Sequence, residues 1–111
     1  MYQLIYVSSA VMNFARPEFM ELALHTGARN VKFGITGMLV FKDGSFMQVL
    51  EGNEEIIKTL YAKIAVDPRH TLVSVIHEGE ISMREYGSWA MTYFNHDTEQ
   101  YDHIAYPTQV L

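Results

Sequence analysis

The most restrictive feature of this sequence is a tight turn between two apolar segments near its middle. Lys42-Asp43-Gly44 separates residues 33–41 (FGITGMLVF) from residues 45–51 (SFMQVLE). Asp-Gly between two such segments is among the strongest short-range signals for a β-hairpin, because both residues tolerate a positive φ. An isolated hairpin is only marginally stable in water, so the rest of the chain must cover at least one of its faces.

The segment before this hairpin predicts a strand followed by a helix. Residues 2–8 alternate between two faces, as a strand requires. Pro17 suits the first turn of a helix, and Gly27 is a residue that can end one. The residues that share one side of this helix are Phe19, Leu22, Ala23 and Thr26.

The segment after the hairpin repeats the pattern. Asn53 can cap a second helix, and Asp67-Pro68 ends it, because the residue before a proline disfavours the helical conformation. Residues 71–77 (TLVSVIH) predict a strand that is buried on both faces, and residues 89–94 (WAMTYF) predict a last strand. The apolar positions at helical spacing in the second helix are Ile56, Ile57, Leu60, Tyr61 and Ile64.

The predicted element order, β-α-β-β-α-β-β, defines the expected fold class. It is an α+β, ferredoxin-like βαββαββ sandwich, with two helices on one face of a mixed five-stranded sheet. The 111 residues fit one domain. We place that domain at residues 1–94 and a C-terminal tail at 95–111, with a short helix over residues 98–105.

Composition and charge exclude several classes of function. The net charge is −5 and the eight Lys and Arg residues are scattered, which disfavours a nucleic-acid partner. Cysteine is absent and the five His residues lack ligand spacing, so we expect neither a disulfide framework nor a metal site. No apolar segment has the length of a membrane span and the N-terminus lacks a basic leader, so a cytoplasmic protein without membrane contact is expected.

Two polar side chains fall among apolar ones on faces that we expect to turn toward the helices. Tyr6 alternates with Leu4 and Ser8, and Gln48 lies between Phe46 and Leu50 in the same alternation. An unpaired buried polar group costs about 1–3 kcal/mol, so a flat ligand with a polar edge, such as a flavin, would complete the amide's hydrogen bonds. Gln48 on the outer sheet face, or bonded to buried water, is the alternative. Trp89 and Met91 are expected to share one face of the last strand.

Several segments together resemble a known family. LIYVSSA, FGITGMLVFKDGSFMQVLEG, LYAKIAVDPRH and the later WAM stand in the register of the BLUF domains, sensors of blue light using FAD, over residues 2–94. The resemblance implies a blue-light photoreceptor that binds FAD, signals through a light-induced rearrangement of hydrogen bonds between a Tyr, a Gln and the flavin, and has no enzymatic turnover of its own.

The resemblance also implies roles for individual residues. Tyr6 is implied to be the photochemical donor of an electron and a proton, and Gln48 the side chain that changes its hydrogen bonding. Asn30 is implied to bond the carbonyl and imide edge of the ring. Leu22 and Ile64 stand where the family places apolar side chains against the two ring faces.

Polar positions near the ring and a signal strand complete the implied site. Lys63 and Asp67 correspond to polar positions near the ring edge, and Arg29 stands where many members have a first Asn. Trp89 and Met91 are implied to carry the signal outward. The implied cofactor-binding set is Tyr6, Ser8, Leu22, Arg29, Asn30, Gln48, Lys63, Ile64 and Asp67.

Two other function classes remain open from the sequence. One is an enzyme on the same fold, such as a flavin-dependent oxidase, and the other is a ligand-binding or interaction module without photochemistry. For the photosensor, the output partner is expected to be an effector protein or an effector domain outside this chain. We also expect a homo-oligomer, because residues 71–77 are apolar on both faces and the helices cover only one.

Overall fold

The computed structural model describes residues 1–12, 14–87 and 89–106. Two helices lie on a sheet of six strands, within this described part of the chain. The elements in chain order are β1 (Tyr2–Ala10), α1 (Arg16–Phe33), β2 (Thr36–Lys42), β3 (Ser45–Gly52), α2 (Glu54–Ala65), β4 (His70–Glu80), β5 (Trp89–Asn95) and β6 (Gln100–Ala105).

The sheet confirms the predicted fold class, with one strand more than expected. Its strand order is β4-β1-β3-β2-β5-β6. β2 and β5 run parallel and the other neighbouring pairs run antiparallel, so the sheet is mixed. Two separate clusters of buried side chains lie between helices and sheet. One surrounds Phe19 of α1 and Phe41 of β2, and the other surrounds Ile57 of α2 and Leu4 of β1.

The first helix is longer than the sequence predicted. Pro17 lies in its first turn, as expected, but α1 continues through Gly27 and ends at Gly34, whose φ of 68° forms the left-handed cap. Gly27 serves packing instead of termination, because a Cβ built on it would lie 2.5 Å from Cδ1 of Ile104. The prediction that Gly27 ends the helix is therefore wrong.

The second helix and the central hairpin follow the sequence prediction. The side chain of Asn53 accepts a hydrogen bond from the N–H of Ile56 at 3.1 Å, which caps α2. Asp43 and Gly44 have φ values of 50° and 80°, so both residues of the tight turn use the conformation that Asp-Gly favours. Gly37 allows β2 to approach its neighbour closely, since a Cβ there would lie 1.9 Å from the carbonyl oxygen of Val49.

The predicted helix over residues 98–105 is wrong, because this segment forms β6. The Asn95 side-chain oxygen accepts hydrogen bonds from the N–H groups of Asp97 and Thr98 at 3.0 and 3.2 Å, and Glu99 has a φ of 58°. These features reverse the chain, so that Gln100–Ala105 pairs antiparallel with β5. Without this pairing β5 would leave its backbone groups on an open edge, and β6 satisfies them.

The fourth strand is also less buried than predicted. β4 lies at the edge of the sheet and its residues are exposed or half-buried, including Leu72 and Ile76. An edge position leaves one flank without a neighbour, so an apolar composition alone did not secure burial on both faces. None of the helices in the described residues is long and apolar enough to cross a membrane.

A β-bulge in β5 separates two residues that were expected to share a face. Trp89 pairs with Ala105 and Met91 pairs with Ile104, so Ala90 is an extra residue opposite two consecutive partners. Met91 therefore lies on the helix side with no exposed surface, whereas Trp89 lies on the outer face and is 41% exposed. Strict alternation, from which the shared face was predicted, fails at a bulge.

Candidate functional site

A cleft opens where the two helices approach the middle of the sheet. Its internal volume is about 40 Å³, so the cleft is narrow in this structure. Leu22 comes from α1, Ile64 from α2, Tyr6 from β1 and Gln48 from β3, so four elements converge on it. The lining residues are Tyr6, Phe14, Leu22, Thr26, Arg29, Leu39, Phe46, Gln48, Ile64, Asp67, Arg69 and His70.

The centre of the cleft is a tyrosine–glutamine pair. Tyr6 and Gln48 lie directly opposite each other in the antiparallel pairing of β1 and β3. The Tyr6 hydroxyl donates a hydrogen bond to Oε1 of Gln48, and both side chains are buried. Among the residues that the structure describes, Nε2 of Gln48 is the only buried side-chain nitrogen or oxygen without a partner. A buried amide N–H without a partner in this cleft fits a ligand that presents an acceptor there.

The Tyr6 hydroxyl is held in its neutral form. Burial raises the pKa of Tyr6 well above its ordinary value of about 10, while the nearby Arg29 opposes that rise only in part. The phenol therefore keeps its proton throughout the physiological range. It is available as a hydrogen-bond donor to Gln48 without placing a charge in the cleft.

A cation and an amide from the last turns of α1 adjoin this pair. Arg29 lines the cleft and donates to Oδ1 of Asn30 from Nη2 at 2.9 Å and from Nε at 3.3 Å. Burial lowers the pKa of Arg29, and no carboxylate in the described residues lies within salt-bridge distance of it. Nδ2 of Asn30 donates to the carbonyl of Ala90 at 2.8 Å, so this fully buried amide joins α1 to β5.

The segment that follows α2 brings an ion pair to the cleft. Nη2 of Arg69 lies 2.5 Å from Oδ2 of Asp67, and the guanidinium and backbone N–H of Arg69 both donate to the carboxylate. The hydrogen bond from the Arg69 side chain lowers the pKa of Asp67 to about 2. Asp67 is therefore ionised and engaged at neutral pH.

His70 is a cleft residue that the sequence reasoning missed. Its Nε2 lies 2.7 Å from the carbonyl oxygen of Ile64, which can only accept, so Nε2 carries the proton. In the neutral ring Nδ1 then accepts from the Ser8 hydroxyl at 2.8 Å. The ring also stands edge-on to Tyr6, with centroids 6.2 Å apart. Its sequence signal was its place three positions after Asp67 within VDPRH, a segment that carried the resemblance.

The structure brings most, but not all, of the predicted site residues into the cleft. Ser8 and Asn30 are buried beside it, with their side chains bonded to His70 and to Ala90. Lys63 lines a different surface depression, together with Phe33, and lies outside the cleft. Besides His70, the lining residues that the sequence reasoning did not assign to the site are Phe14, Thr26, Leu39, Phe46 and Arg69.

The two residues predicted to relay a signal are placed very differently. Met91 lies behind the cleft wall, where its Sδ is 3.3 Å from the hydroxyl oxygen of Thr26, a lining residue. Trp89 lies on the far side of the sheet and stacks on His103. Only Met91 is thus positioned to sense the cleft through a direct contact.

Comparison with known proteins decides the family. The protein-family model described as "Sensors of blue-light using FAD" matches residues 1–92 of this sequence. The chain belongs to the BLUF family. Its relatives include the photoactivated adenylate cyclase subunit beta of Euglena longa, 37% identical over 90 residues that make up 80% of this chain and 10% of the relative. The antirepressor BluF of Escherichia coli K12 is 33% identical over 75 residues, or 68% of this chain and 19% of BluF.

Solved BLUF-containing structures agree with the fold described above. A bacterial light-regulated adenylyl cyclase superposes with a TM-score of 0.80 at 34% identity, covering 87% of this chain and 28% of the cyclase. The ground state of BlsA superposes with a TM-score of 0.79 at 26% identity, covering 85% of this chain and 64% of BlsA. This BLUF chain spans about a tenth of the length of the first curated relatives that it matches.

Proposed function

We propose that this BLUF domain holds FAD in the cleft between its helices and responds to blue light through the Tyr6–Gln48 hydrogen bond. One observation carries the proposal. The unpaired Nε2 of Gln48 is buried at the centre of the cleft, next to a neutral tyrosine that donates to the amide oxygen. A ligand acceptor at Nε2 would remove an unfavourable free energy of about 1–3 kcal/mol.

The residues that would hold the flavin divide into apolar and polar groups. Leu22 and Ile64 face the cleft from opposite helices, which suits the two faces of a flat ring. Gln48 offers an amide donor, and Arg29 offers guanidinium donors to a carbonyl or phosphate oxygen. Lys63 is left out of this set because its side chain lies elsewhere.

When bound, the flavin supplies the absorption of blue light and an excited ring that can accept an electron. Tyr6 holds a proton on its Oη, and its donation to Gln48 Oε1 provides a short path between phenol and amide. A change in that proton's position removes the bond that fixes the Gln48 amide. The amide then reorients, and the atom that it presents to the ligand changes. The electron and the proton both return to Tyr6 afterwards, so nothing is consumed.

Two contacts can pass this change to β5. Asn30 bonds the carbonyl of Ala90, and Thr26 contacts the sulfur of Met91. Because Arg29 and Thr26 both line the cleft, a shift in ligand bonding on the α1 side reaches β5 through one side chain in each case. We infer that β5 passes the signal to an effector protein or domain that lies outside this chain.

An enzymatic role fits the cleft less well. Asp67 is ionised and engaged by Arg69, and both ring nitrogens of His70 are bonded. Tyr6 retains its proton because burial raises its pKa. Neither Asp67 nor Tyr6 is therefore free to act as a general base near neutral pH, and the Nδ1 acceptor of His70 is directed at the buried Ser8 hydroxyl. We accordingly propose a sensor without turnover.

Self-association is also proposed, through the outer face of the sheet. Leu72 and Ile76 lie in β4 and are 77% and 57% exposed. The two helices cover only the opposite face of the sheet. Exposed apolar patches of this kind typically mark contacts between proteins. Sedimentation velocity should show a dimer whose fraction falls in Leu72→Ser, and a strict monomer at high concentration would contradict the proposal.

The decisive experiment is an absorption spectrum of the purified protein in darkness and after blue light. FAD, FMN and riboflavin should each be offered to the apoprotein, because one structural neighbour, BlrP1 of Klebsiella pneumoniae, is described with FMN. We expect retention of FAD and a reversible red shift of its band. A protein that cannot be loaded with any flavin would refute the proposal, and one that prefers FMN would correct the cofactor.

A further inference from the structure

The outward position of Trp89 depends on a bulge that the sequence of β5 does not itself require. The segment WAMTYF alternates normally, and a strand without a bulge would place Trp89 and Met91 on the same face. In the structure Ala90 is the extra residue, which turns Trp89 to the outer face while Met91 stays inside. Something outside β5 must therefore select the bulged register.

His103 of β6 makes the contacts that hold Trp89 on that face. Its imidazole stacks on the indole with ring centroids 4.4 Å apart and an interplanar angle of 13°. Its Nδ1 lies 2.9 Å from the hydroxyl oxygen of Thr92, and Tyr101 packs edge-on against it at 5.4 Å. Three neighbours fix the imidazole, so the indole stacks on a ring that is itself immobilised.

The strand that carries His103 is anchored independently of Trp89. Ile104 packs into the space left by Gly27 of α1, whose missing Cβ would lie 2.5 Å from Ile104 Cδ1. At the end of β6, the Tyr106 hydroxyl bonds the carbonyl oxygens of Ile35 and Asn30. These two contacts set the position of β6 from the α1 side. β6 also lies beyond residue 92, where the match to the family model ends.

We propose that His103 is a positioning residue, which holds Trp89 on the outer face and so keeps β5 in the bulged register with Met91 beside Thr26. The consequence for light sensing rests on the proposed function, whereas the position of Trp89 does not. Loss of an aromatic pair of this kind should raise the unstacked population of Trp89 about two- to tenfold.

Trp89 is the only tryptophan of the chain, so its fluorescence reports this position without ambiguity. Acrylamide quenching should be measured in the dark on the flavin-loaded protein. We expect His103→Ala to increase the quenching constant of Trp89, and His103→Phe, which keeps a flat ring, to restore it. Tyr101→Phe is the matched control on the same strand, and it should leave quenching unchanged because it keeps the ring that packs edge-on against His103.

The photocycle supplies a second, separable readout. The dark-recovery rate of the flavin band should change by a similar factor in His103→Ala and return in His103→Phe, because the Met91 contact with Thr26 depends on the register of β5. Unchanged quenching in His103→Ala, or failure of phenylalanine to restore it, would overturn the proposal. If the alanine variant does not fold, His103→Leu can replace it, because leucine keeps most of the side-chain volume without a ring. This variant should show the same increase in the quenching constant of Trp89.

Failure of the proposed function would look different. A wild-type protein without a light-induced red shift would refute photosensing, while the quenching data would still decide whether His103 positions Trp89. Altered quenching with an unaltered recovery rate would overturn the link from Trp89 to Met91, which is part of this proposal, and leave photosensing intact.

Discussion

Replacing Tyr6 by phenylalanine tests the site most directly, because it removes one oxygen and keeps a packed ring. In the apoprotein, the change leaves both polar groups of the Gln48 amide without a partner, since Nε2 already has none. Leaving a buried acceptor unsatisfied costs about 1–3 kcal/mol. At about 4 °C per kcal/mol for a domain of this size, the apoprotein should melt roughly 4–12 °C lower.

With FAD bound the same substitution should cost less stability, because the ligand can still occupy Nε2 of Gln48. We expect the loss to approach the roughly 1 kcal/mol of a single hydrogen bond. FAD should be retained, but the light-minus-dark spectrum should be flat, since phenylalanine has no proton to donate. Gln48→Ala should share this phenotype of a yellow, folded and unresponsive protein.

Tyr61→Phe is the matched control for Tyr6→Phe. Tyr61 packs on Tyr6 with ring centroids 5.8 Å apart, and its hydroxyl has no hydrogen bond among the described residues. The stability of the Tyr61→Phe protein should differ from that of the unchanged protein by less than about 0.5 kcal/mol, and its light response should be intact. A full red shift in Tyr6→Phe, or equal melting temperatures for the two variants, would refute the reasoning about the Tyr6–Gln48 bond.

Three further predictions follow from the cleft and its frame. Leu22→Asp should sharply lower flavin content, because it places a charge against an apolar ring face. Leu24→Asp, on the exposed side of the same helix, should leave flavin content unchanged. Equal flavin loading of the two variants would contradict the proposed ring position. Gly37→Ala should destabilise the fold by about 1–3 kcal/mol or more in a urea titration, since its Cβ would meet a backbone oxygen at 1.9 Å. Gly79→Ala is the control, because the space around Gly79 is open, and the same titration should show little change in stability. The folded-state pKa of Asp67 is depressed to about 2 from 3.8, so its contribution to the free energy of unfolding is complete above pH 4 and is lost as the pH falls toward 2. Solvent screening limits this contribution to about 1 kcal/mol. Asp67→Asn should therefore flatten the curve of stability against pH in that window.

The alkaline limit of the light response follows from Tyr6. Its folded pKa is raised above the unfolded value of about 10, so the stability linked to this proton is complete below pH 10 and declines above it. The red shift should therefore keep its amplitude up to about pH 10, measured in the same buffer series as the melting temperature. A loss of amplitude centred near pH 8 would show that the phenol ionises more readily than its burial allows.

The parts of the fold that depend on local chemistry could be predicted from the sequence. The Asp43-Gly44 turn, the Asn53 cap and the alternation in β1 and β3 each rest on neighbouring residues, and they brought Tyr6 and Gln48 together correctly. The resemblance identified the family, and the match over residues 1–92 confirmed it.

The parts that depend on tertiary neighbours could not be predicted in this way. The space for a side chain at position 27 is taken by Ile104, which lies 77 positions later, and no local pattern reports that contact. The segment 98–105 has acceptable helix caps, but an open edge on β5 gave it a better use as a strand. Lys63 was placed by register alone; in the structure it lines a different surface depression, and its role near a ring edge stays a prediction.

The bulge at Ala90 places Trp89 and Met91 on opposite faces of the sheet, so the two residues cannot share one role in the proposed signalling. Asn30 bonds the carbonyl of Ala90, the residue that the bulge inserts, so the cleft-side contact and the register change meet at one position. A shift of the Asn30 amide would release that carbonyl from the α1 side. The stack of His103 on Trp89 would then remain as a side-chain restraint on the outer side. On the proposed function, the response to light would reach the surface of this domain at the β-bulge, which Asn30 and His103 hold from the two faces of the sheet. Of these two side chains, only His103 has surface that an external partner could contact.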